Sequence, residues 1–537
     1  RDINQNKITA DGVVLNPHHP NAPSVNPPGS PNKNSLAGTE LFYTFKIAIA
    51  ATGGSTTYTS GGWSNGTPDR TKNTIINSDY VTTSSNTFSC NDLTIADGVS
   101  LTISDETFIE VLNNINTNTT GKIIVNNKGN LVQRCDEKVP SARIEFKKTT
   151  RNLKAYDYSY FGVPITGNIA NQLTFANGGT GDYDWMFRWN SNGAASAWAS
   201  ITTSTPGQGF IARRKNLGTL SNPNPTVANA TPFNLQWNGT ANNGKVTYTA
   251  TAHATTPTLD IDANKILIGN PYPSAIDAVK FINHSENQEL EGTLYFWTAA
   301  TAISNQTAGA YGYNYSPNDY ATWNITGGTG TAASTLTGFV PSGKIATGQG
   351  FFARIKASGT IEFTNDMRLT TDNTQFFRLA TENYTENNTN YPKVWLNLSS
   401  TDNPTFRQIL VGYVPNATNN YEGKYDAESQ TTSNNDFYSV IDHKKLNIQG
   451  KSLPFNLQDT VALGLKIQNS GNYFISLDHT EGILSNIDLP IYIYDNLTNT
   501  EHNIKNSPYG FNISNGIIND RFVLKYQSTL SNNLEDL

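Results

Sequence analysis

The chain has 537 residues, of which 36% are hydrophobic, 11% aromatic and only 15% charged, with a formal net charge of −6. Asn, Thr, Ser and Gly take the place of the missing charge and favour strands and turns, so the composition argues against a helical protein. The aromatic content excludes a disordered chain, and mild acidity without a basic stripe argues against nucleic-acid binding.

The beginning of the chain and its cysteines bear on the cellular compartment. The chain starts RDINQNKITADG, and we expect any secretory signal to have been removed or to lie outside this sequence. No run of about 18 apolar residues occurs, so no membrane span is predicted. Two cysteines are too few for a disulfide scaffold, and Cys90 and Cys135 form either one disulfide or two buried thiols. The composition suits a secreted bacterial protein.

The N-terminal region is predicted to be an extended arm. Residues 16–32 (NPHHPNAPSVNPPGSPN) are rich in proline, which favours polyproline II and is excluded from central strands. Residues 41–51 (LFYTFKIAIAA) alternate in the manner of a strand. We assign residues 1–55 to this arm and its first strand, and we expect the arm to dock on its own chain or on a neighbouring copy.

Short apolar segments separated by turn-length breaks predict a β-solenoid over residues 56–143. The segments are LTI (93–95), VSLTI (99–103), FIEVL (108–112), KIIV (122–125) and NLV (130–132). Evenly spaced short strands are typical of stacked solenoid turns. The alternative is an ordinary sandwich built from hairpins.

The next region contains an internal repeat, with copies assigned to residues 144–255 and 256–375. GQGFIAR (207–213) in the first copy corresponds to GQGFFAR (348–354) in the second, and their glycines predict a bend before an aromatic strand. Each copy is predicted to be a β-sandwich, with Trp185, Trp189, Trp237 and Trp297 in the core. Asn-Gly pairs beginning at residues 177, 192, 238 and 243 predict hairpin turns.

Residues 376–537 are predicted to form a C-terminal β-sandwich or jelly roll. Its alternating segments are VWLNLSS (394–400), RQILVGYV (407–414), VALGLKI (461–467), YFISLDH (473–479), PIYIYD (490–495) and RFVLKYQ (521–527). Their spacing and turn residues are those of a sandwich. The whole chain is therefore predicted to be all-β, with a short solenoid-like segment followed by several sandwich or jelly-roll domains in series.

Several of these segments resemble modules of large secreted surface proteins of Bacteroidota, notably flavobacteria. The resemblance covers roughly residues 60–530 and is carried by CNDLTIADGVSLTI (90–103), GNPYPSAIDAVKFI (269–282), IATGQGFFARI (345–355), ILVGYVPNATNNYEGKYDAE (409–428) and SPYGFNISNGIINDRFVLKY (507–526). In that family the modules precede a C-terminal sorting domain read by the type IX secretion system. The resemblance implies export by that machinery to the outer cell surface or medium, with the sorting domain missing after LSNNLEDL.

Few motifs suggest chemistry. Gly62–Gly66 (GWSNG) fits G-x-S-x-G but lacks the strand–turn–helix setting of a nucleophile elbow, so a turn is predicted. Asp182, Asp184, Asp260 and Asp262 are candidates for a calcium site formed by sandwich loops, since calcium prefers oxygen ligands. Asp459-Thr460-Val461 resembles the short O-glycosylation signal of Bacteroidota, which makes Thr460 a candidate for modification.

These observations together predict a non-enzymatic, extracellular structural or adhesive surface protein. One alternative is a subunit of an extracellular fibre assembled through residues 1–51. Another is a carbohydrate-binding module or carbohydrate-active enzyme, the latter requiring two carboxylates across a cleft. Apart from structural calcium no cofactor is expected. The expected partners are a neighbouring copy, the type IX machinery during export, and a glycan or surface ligand.

Overall fold

The computed structural model divides the chain into two compact units, residues 1–48 and residues 49–537. In the first unit it describes only two strands, β1 (Lys7–Ile8) and β2 (Val14–Leu15), which pair antiparallel. In the second unit it describes residues 52–136, 142–153, 156–166, 183–191, 197–201, 203–214, 231–253, 263–301, 303–305, 314–331, 340–374, 391–403, 405–429 and 435–528. The predicted arm and the segment 41–51 otherwise lie outside the described residues.

The second unit begins with eleven short strands. They are β3 (Ser55–Thr59), β4 (Gly62–Trp63), β5 (Asn73–Ile76), β6 (Tyr80–Val81), β7 (Phe88–Cys90), β8 (Leu93–Ile95), β9 (Ser100–Ile103), β10 (Phe108–Val111), β11 (Ile115–Thr117), β12 (Lys122–Val125) and β13 (Asn130–Gln133). Parallel pairing stacks ten of them on three faces, β3-β5-β8-β11, β6-β9-β12 and β7-β10-β13, and β4 pairs antiparallel with β3. This is the predicted solenoid, and all five apolar segments named from the sequence lie on its strands.

The interior of the solenoid shows how such short strands together form a stable core. Leu101 and Ile123 are in register, both with no exposed surface, so each turn of about 22 residues contributes to one apolar stack. Beside this stack the amide side chains of Asn73, Asn91 and Asn113 form a ladder, in which each later residue donates to the Oδ1 of the one before, at 2.9 and 2.6 Å. Strand pairing, apolar stacking and side-chain bonds therefore repeat with the same period.

The repeat region contains the longest strands of the centre of the chain. They are β14 (Arg143–Leu153), β15 (Tyr158–Phe161), β16 (Ile165–Thr166), β17 (Tyr183–Asn190), β18 (Ala197–Ser200), β19 (Phe210–Arg214), β20 (Thr231–Ala241), β21 (Val246–Ala250), β22 (Lys265–Gly269), β23 (Ile276–Asp277), β24 (Leu290–Trp297), β25 (Tyr320–Asn324), β26 (Gly327–Thr329), β27 (Lys344–Ile345), β28 (Gly350–Ile355) and β29 (Gly359–Phe363). Helical structure is confined to α1 (Ala278–Asn283) and 3₁₀ turns at Ser285–Asn287, Pro317–Asp319, Asn365–Met367 and Gly482–Ser485 among the described residues.

The two copies have the same strand order. One sheet runs β15-β19-β17-β18, and the corresponding sheet runs β22-β28-β24-β25, with β26 added at its edge. The outer pairs β14–β20 and β21–β29 also correspond, and both are antiparallel. β21, which lies before the predicted boundary at residue 256, pairs with β29 of the second copy.

The glycines of the duplicated GQGF segments join the two copies. The amide of Gly162, just after β15, donates to the carbonyl of Gly348 at 2.8 Å, and that of Gly269, at the end of β22, donates to the carbonyl of Gly207 at 3.1 Å. Gly207 and Gly348 have positive φ of 83° and 65°, which glycine adopts readily. Each copy therefore holds the glycine bend of the other, forming a reciprocal seam.

Two hairpin predictions were wrong. Asn238 and Gly239 lie inside β20, opposite Glu145 and Ile144 of β14, and make no turn. A side chain at Gly239 would lie 2.9 Å from Cδ1 of Ile165, so glycine serves here for the close approach of β16. Asn243 and Gly244 connect β20 to β21, which do not pair with each other. The pairs starting at residues 177 and 192 lie outside the described residues.

The last eleven strands of the second unit, called the C-terminal unit below, form one sheet folded over a common core. Its strands are β30 (Lys393–Ser400), β31 (Phe406–Tyr413), β32 (Ala427–Glu428), β33 (Asp436–Ile441), β34 (Lys444–Lys451), β35 (Thr460–Ile467), β36 (Gly471–Glu481), β37 (Tyr492–Asp495), β38 (Thr500–Asn503), β39 (Tyr509–Ile513) and β40 (Gly516–Lys525). Leu396 on β30 and Leu463 on β35 are both fully buried in that core. The all-β fold predicted from composition and spacing is thereby confirmed.

The solenoid and the first copy share a sheet. The solenoid face β6-β9-β12 continues through parallel pairing into β14, which then pairs with β20 and, beyond it, β16. One apolar cluster also contains solenoid residues such as Ile123 together with Phe210 of the first copy and Phe352 of the second. The last solenoid turn therefore has no free edge on this face, since the repeat covers it.

Candidate functional site

The predicted calcium residues are not brought together by the described part of the chain. Asp182, Asp260 and Asp262 lie outside the described residues, and Asp184 is placed only as a member of β17. No group of three or more His, Cys, Asp or Glu side chains with metal-binding geometry occurs within the described ranges. The calcium site stays a prediction.

Thr460 occupies an accessible position. It is the exposed first residue of β35, directly after a turn closed by the Asp459 amide and the Asn456 carbonyl. The Asp459 carboxylate accepts bonds from the Tyr413 hydroxyl at 2.7 Å and from the Thr460 amide at 2.9 Å, and it pairs with Lys451 at 3.0 Å. The hydroxyl of Thr460 lies at the surface of a firmly held turn, and its modification stays a prediction.

The two cysteines are separate thiols. Cys90 is fully buried inside the solenoid, and Cys135 is half-buried after β13. Burial is the main cause that raises the pKa of the Cys90 thiol, and this disfavours the thiolate form. Ser64, the central residue of the G-x-S-x-G match, lies after β4, where its Oγ accepts the Thr57 amide at 2.9 Å. A hairpin turn, and not a nucleophile elbow, surrounds this serine.

An aromatic cluster, largely buried, lies between the central sheets of the two copies. Its members come from both sheets: Tyr160, Trp189 and Trp198 from the first copy, and Trp297, Tyr320 and Phe352 from the second. The hydroxyls of Tyr160 and Tyr320 are 2.7 Å apart, and the rings of Tyr160 and Trp297 stack at 6.0 Å. The same strands that carry the internal repeat therefore build this cluster.

Two rings are exposed at the edge of the aromatic cluster, one a member of it and the other packed against it. Trp198, on the edge strand β18, is 37% exposed, and Tyr315, which contacts Trp297 at 5.9 Å, is 36% exposed. Trp198 is held edge-on by Trp189 at 5.2 Å, so it keeps a fixed orientation. Exposed, immobilised aromatic rings are suited to stack on an apolar face of a ligand such as a sugar ring. Sequence reasoning placed Trp189 and Trp297 in the core but did not single out Trp198, because alternation alone does not tell an edge strand from a central one.

Arg368 links the solenoid to the second copy. It is buried, and its guanidinium lies 4.9 Å from the Tyr272 ring. Its hydrogen bonds reach acceptors on both parts: the carbonyls of Leu131 (2.6 Å) and Gln133 (3.3 Å), Oδ1 of Asn243 (3.2 Å) and Asn365 (3.0 Å), and Oγ of Ser274 (3.2 Å). The side chain uses all three guanidinium nitrogens for structure. A lone arginine outside any strand pattern gives no sequence signal for this role.

A small polar cavity lies between the second copy and the C-terminal unit. It has a volume of about 40 Å³ and is bordered by Asn318, Asn447, Arg407 and Asp436. The side-chain oxygens of Asn318 and Asn447 are buried and accept no hydrogen bond from any described residue. Burial raises the pKa of Asp436, although Arg407 and Ser429 oppose the shift. The cavity has room for a few water molecules that would satisfy these oxygens, and it is too small for an organic substrate.

No helix of the described chain is long and apolar enough to cross a membrane.

Comparison with known proteins places the chain in a family. The family described as Domain of unknown function (DUF8693) matches residues 52–526, from just before β3 to one residue past β40. The solenoid, both copies and the C-terminal unit fall inside this single match. No curated protein and no solved structure matches the chain. The chain therefore belongs to the DUF8693 family.

Proposed function

We propose that this chain is a non-enzymatic structural and adhesive protein of the bacterial cell surface, exported by the type IX secretion system. The observation that carries the proposal is the continuous β-structure that joins the solenoid to the repeat. The solenoid face runs on into β14 and β20, and Arg368 ties the last solenoid turn to the second copy. Such continuity is what a stiff surface protein requires.

The parts of the chain are joined in a way that keeps them from reorienting. Domains connected by linkers reorient freely, whereas parts that share a sheet and a core cannot do so without breaking both. The reciprocal glycine seam adds backbone bonds between the copies at 2.8 and 3.1 Å. A ligand bound by one part is therefore held at a fixed distance from the other parts.

The adhesive surface in this proposal is the exposed edge of the aromatic cluster, Trp198 and Tyr315. Both rings are fixed by neighbouring aromatic residues, so little side-chain entropy is lost when they bind. A glycan is the favoured ligand because its apolar ring faces stack on aromatic side chains while its hydroxyls stay in water. Adhesion and carbohydrate binding would therefore use the same surface.

Surface location is tested by labelling intact and lysed cells of the source bacterium with an antibody against the chain. We expect labelling of intact cells, and its loss in a mutant that lacks the type IX translocon. An intracellular signal in both strains would contradict the proposal.

Adhesion is tested in a strain that lacks the chain, complemented with variants. Trp198→Ala and Tyr315→Ala each remove an aromatic contact of about 1 kcal/mol. The double variant therefore loses about 2 kcal/mol and is expected to bind a polysaccharide-coated surface about thirtyfold more weakly. Ile487→Ala is the matched control, because Ile487 is 81% exposed but lies in the C-terminal unit. Equal adhesion of the strains that carry the wild type, the double variant and Ile487→Ala would rule out the aromatic cluster as the adhesive surface.

A further inference from the structure

Strand β40 is paired near both of its ends on one side and near only one end on the other. On the first side it pairs with β35 over Gly516–Ile518 and Phe522–Lys525, with a shift in register between the two stretches. On the second side β37 covers only Phe522 to Lys525, and the Asn496 side chain then caps the Asp520 carbonyl at 2.7 Å. Residues 516–519 therefore present an edge without a strand partner in the described chain.

The burial of β40 changes at the residue where β37 ends. Phe522, Leu524 and Lys525 are buried, whereas Gly516, Ile517, Asn519 and Asp520 are exposed. Ile517 has 59% of its surface exposed, which is unusual for an isoleucine on a strand. An unpaired strand edge with an exposed apolar residue is a site at which another strand adds readily.

A groove runs beside this edge. Its volume is about 580 Å³, and it is bordered by the uncovered half of β40, the end of β39 and the turn that follows β37. Leu497 on that turn is 73% exposed and, with Ile517, supplies apolar contacts at the groove. Arg521 is neutralised by Asp495 at 2.8 Å, which leaves Asp520 as the unpaired charge of the lining. The groove thus suits an extended apolar segment that carries a basic residue.

We propose that this groove accepts residues 41–51 of a second copy of the chain as an added strand, in the position that β37 leaves empty. The segment LFYTFKIAIAA alternates large apolar side chains over Leu41, Tyr43, Phe45 and Ile47, and its single charge is Lys46. Eleven extended residues span about 35 Å, more than the free edge requires. Backbone bonds would give affinity, and the contacts of Lys46 with Asp520 and of apolar residues with Leu497 would set the register.

A second copy is the favoured source of the strand because of where the segment lies in the chain. Residue 51 is followed within four residues by β3, which belongs to the first solenoid turn, whereas the repeats join the last turn through β14. The groove belongs to the C-terminal unit, whose contacts are with the second copy of the repeat. The solenoid and the repeats thus lie between donor and acceptor along the chain, and repetition of the contact would build a head-to-tail fibre.

The first experiment is sedimentation of the full-length chain over a range of concentrations. We expect concentration-dependent association, and Leu497→Lys with Ile517→Lys is expected to weaken it more than about tenfold because two charges would be buried under the added strand. Ile487→Lys, a substitution of an exposed isoleucine away from the groove, is the control and leaves association unchanged. A wild-type chain that stays monomeric at its highest soluble concentration overturns the proposal.

The second experiment tests register and source. Lys46→Glu is expected to weaken association about threefold, and Asp520→Lys in the same chain is expected to restore it. In a Cys135→Ser background, chains with Thr44→Cys are mixed with chains with Ile517→Cys, and oxidation should yield a covalent dimer only in the mixture. A chain with both new cysteines that closes on itself instead would overturn the second-copy assignment. Surface labelling of cells is independent of these outcomes, so failure here leaves the proposed function standing.

Discussion

At the residue scale, Arg368 is the clearest case of a side chain whose environment sets its role. Its guanidinium is buried without a carboxylate among its hydrogen-bond partners, and five protein oxygens share its donors. A buried cation is tolerated when its donors are all used. The carbonyls of Leu131 and Gln133 in turn gain a partner that no solenoid strand provides on that side.

We predict that Arg368→Met lowers the free energy of unfolding by about 3–5 kcal/mol. The methionine fills part of the volume but leaves buried carbonyls and amide oxygens without donors. Arg143→Met is the matched control, since Arg143 is exposed on β14, and its cost should stay within about 1 kcal/mol. Urea denaturation of both variants measures the difference, and equal costs would show that the buried network is dispensable.

The Asp426 carboxyl gives a prediction of pH dependence. Burial raises its pKa from the ordinary 3.8 to about 6, against the amides of Glu422 and Gly450, which donate to it at 2.6 and 2.9 Å. Between these pH values the folded chain keeps a proton that the unfolded chain has released. The contribution of this group to the free energy of unfolding therefore falls as pH rises from about 4 to about 6, and it is lowest above that range.

We expect the free energy of unfolding of the Asp426→Asn variant to lack this pH dependence, so that comparison with the wild type measures it. The free energy of unfolding of the wild type minus that of the variant should fall by up to about 3 kcal/mol between pH 4 and pH 7, because the amide does not titrate. Asp442→Asn, at an exposed turn between β33 and β34, is the control and should change the difference little. A difference that rises with pH would mean that the carboxylate, and not the acid, is the stabilised form.

At the scale of secondary-structure elements, the reciprocal glycine seam shows why the GQGF segment is duplicated. A methyl group on Gly269 would lie 2.5 Å from the Cα of Gly162, and one on Gly350 would lie 2.7 Å from the amide nitrogen of Phe161. No side chain fits between backbones this close. The glycines are thus required by contact between the copies, in addition to the bends at Gly207 and Gly348.

We predict that Gly269→Ala destabilises the chain by about 2 kcal/mol or more, because the seam must open to admit the methyl group. The matched control is Gly61→Ala in the β3–β4 hairpin, where the nearest atom to a new methyl group is the Thr59 Oγ1 at 3.7 Å. Thermal unfolding followed by circular dichroism would compare the two. A control as destabilised as the seam variant would indicate a general cost of losing glycine instead.

The elements also show which parts of the fold were predictable. Segments such as KIIV at 122–125 and VALGLKI at 461–467 became β12 and β35 because their alternation matches the burial of one face. β34 was missed because KKLNIQGK does not alternate cleanly, although its residues 448–451 are buried against the second copy and β31. The prediction at Asn238-Gly239 was wrong because the sequence does not distinguish a glycine needed for close approach of two strands from a glycine needed for a turn.

The candidate surfaces were less predictable than the strands. The exposure of Trp198 depends on β18 being the last strand of its sheet, and that of Ile517 depends on where β37 stops covering β40. Both are set by long-range pairing that no local pattern contains. The partners of Arg368 come from positions more than 100 residues apart, such as Leu131 and Asn243. A site built from single, distant residues leaves no local pattern in the sequence. A strand does leave one, because its alternation is repeated over many residues.

At the scale of the whole molecule, the distribution of cores predicts how the chain unfolds. One apolar cluster joins the solenoid to both copies of the repeat, whereas the C-terminal unit encloses a separate core around Leu396 and Leu463. Parts that share a core and a sheet lose their contacts together, and parts with separate cores open separately. The solenoid and the first copy should therefore behave as one cooperative unit despite their different architectures.

We test this by native-state hydrogen exchange of two core variants. Ile123→Ala removes a fully buried side chain from the solenoid and should cost about 2–5 kcal/mol. Because β12 pairs with β14, we expect exchange to accelerate in β19 and β20 of the first copy as strongly as in the solenoid, while β35 and β40 keep their protection. Leu463→Ala is the reciprocal control and should accelerate exchange in the strands that share its core, such as β35 and β40, while the solenoid and the first copy keep their protection. If Ile123→Ala affects only solenoid peptides, the shared sheet transmits no stability, and the stiffness on which the proposed function depends would be lost with it.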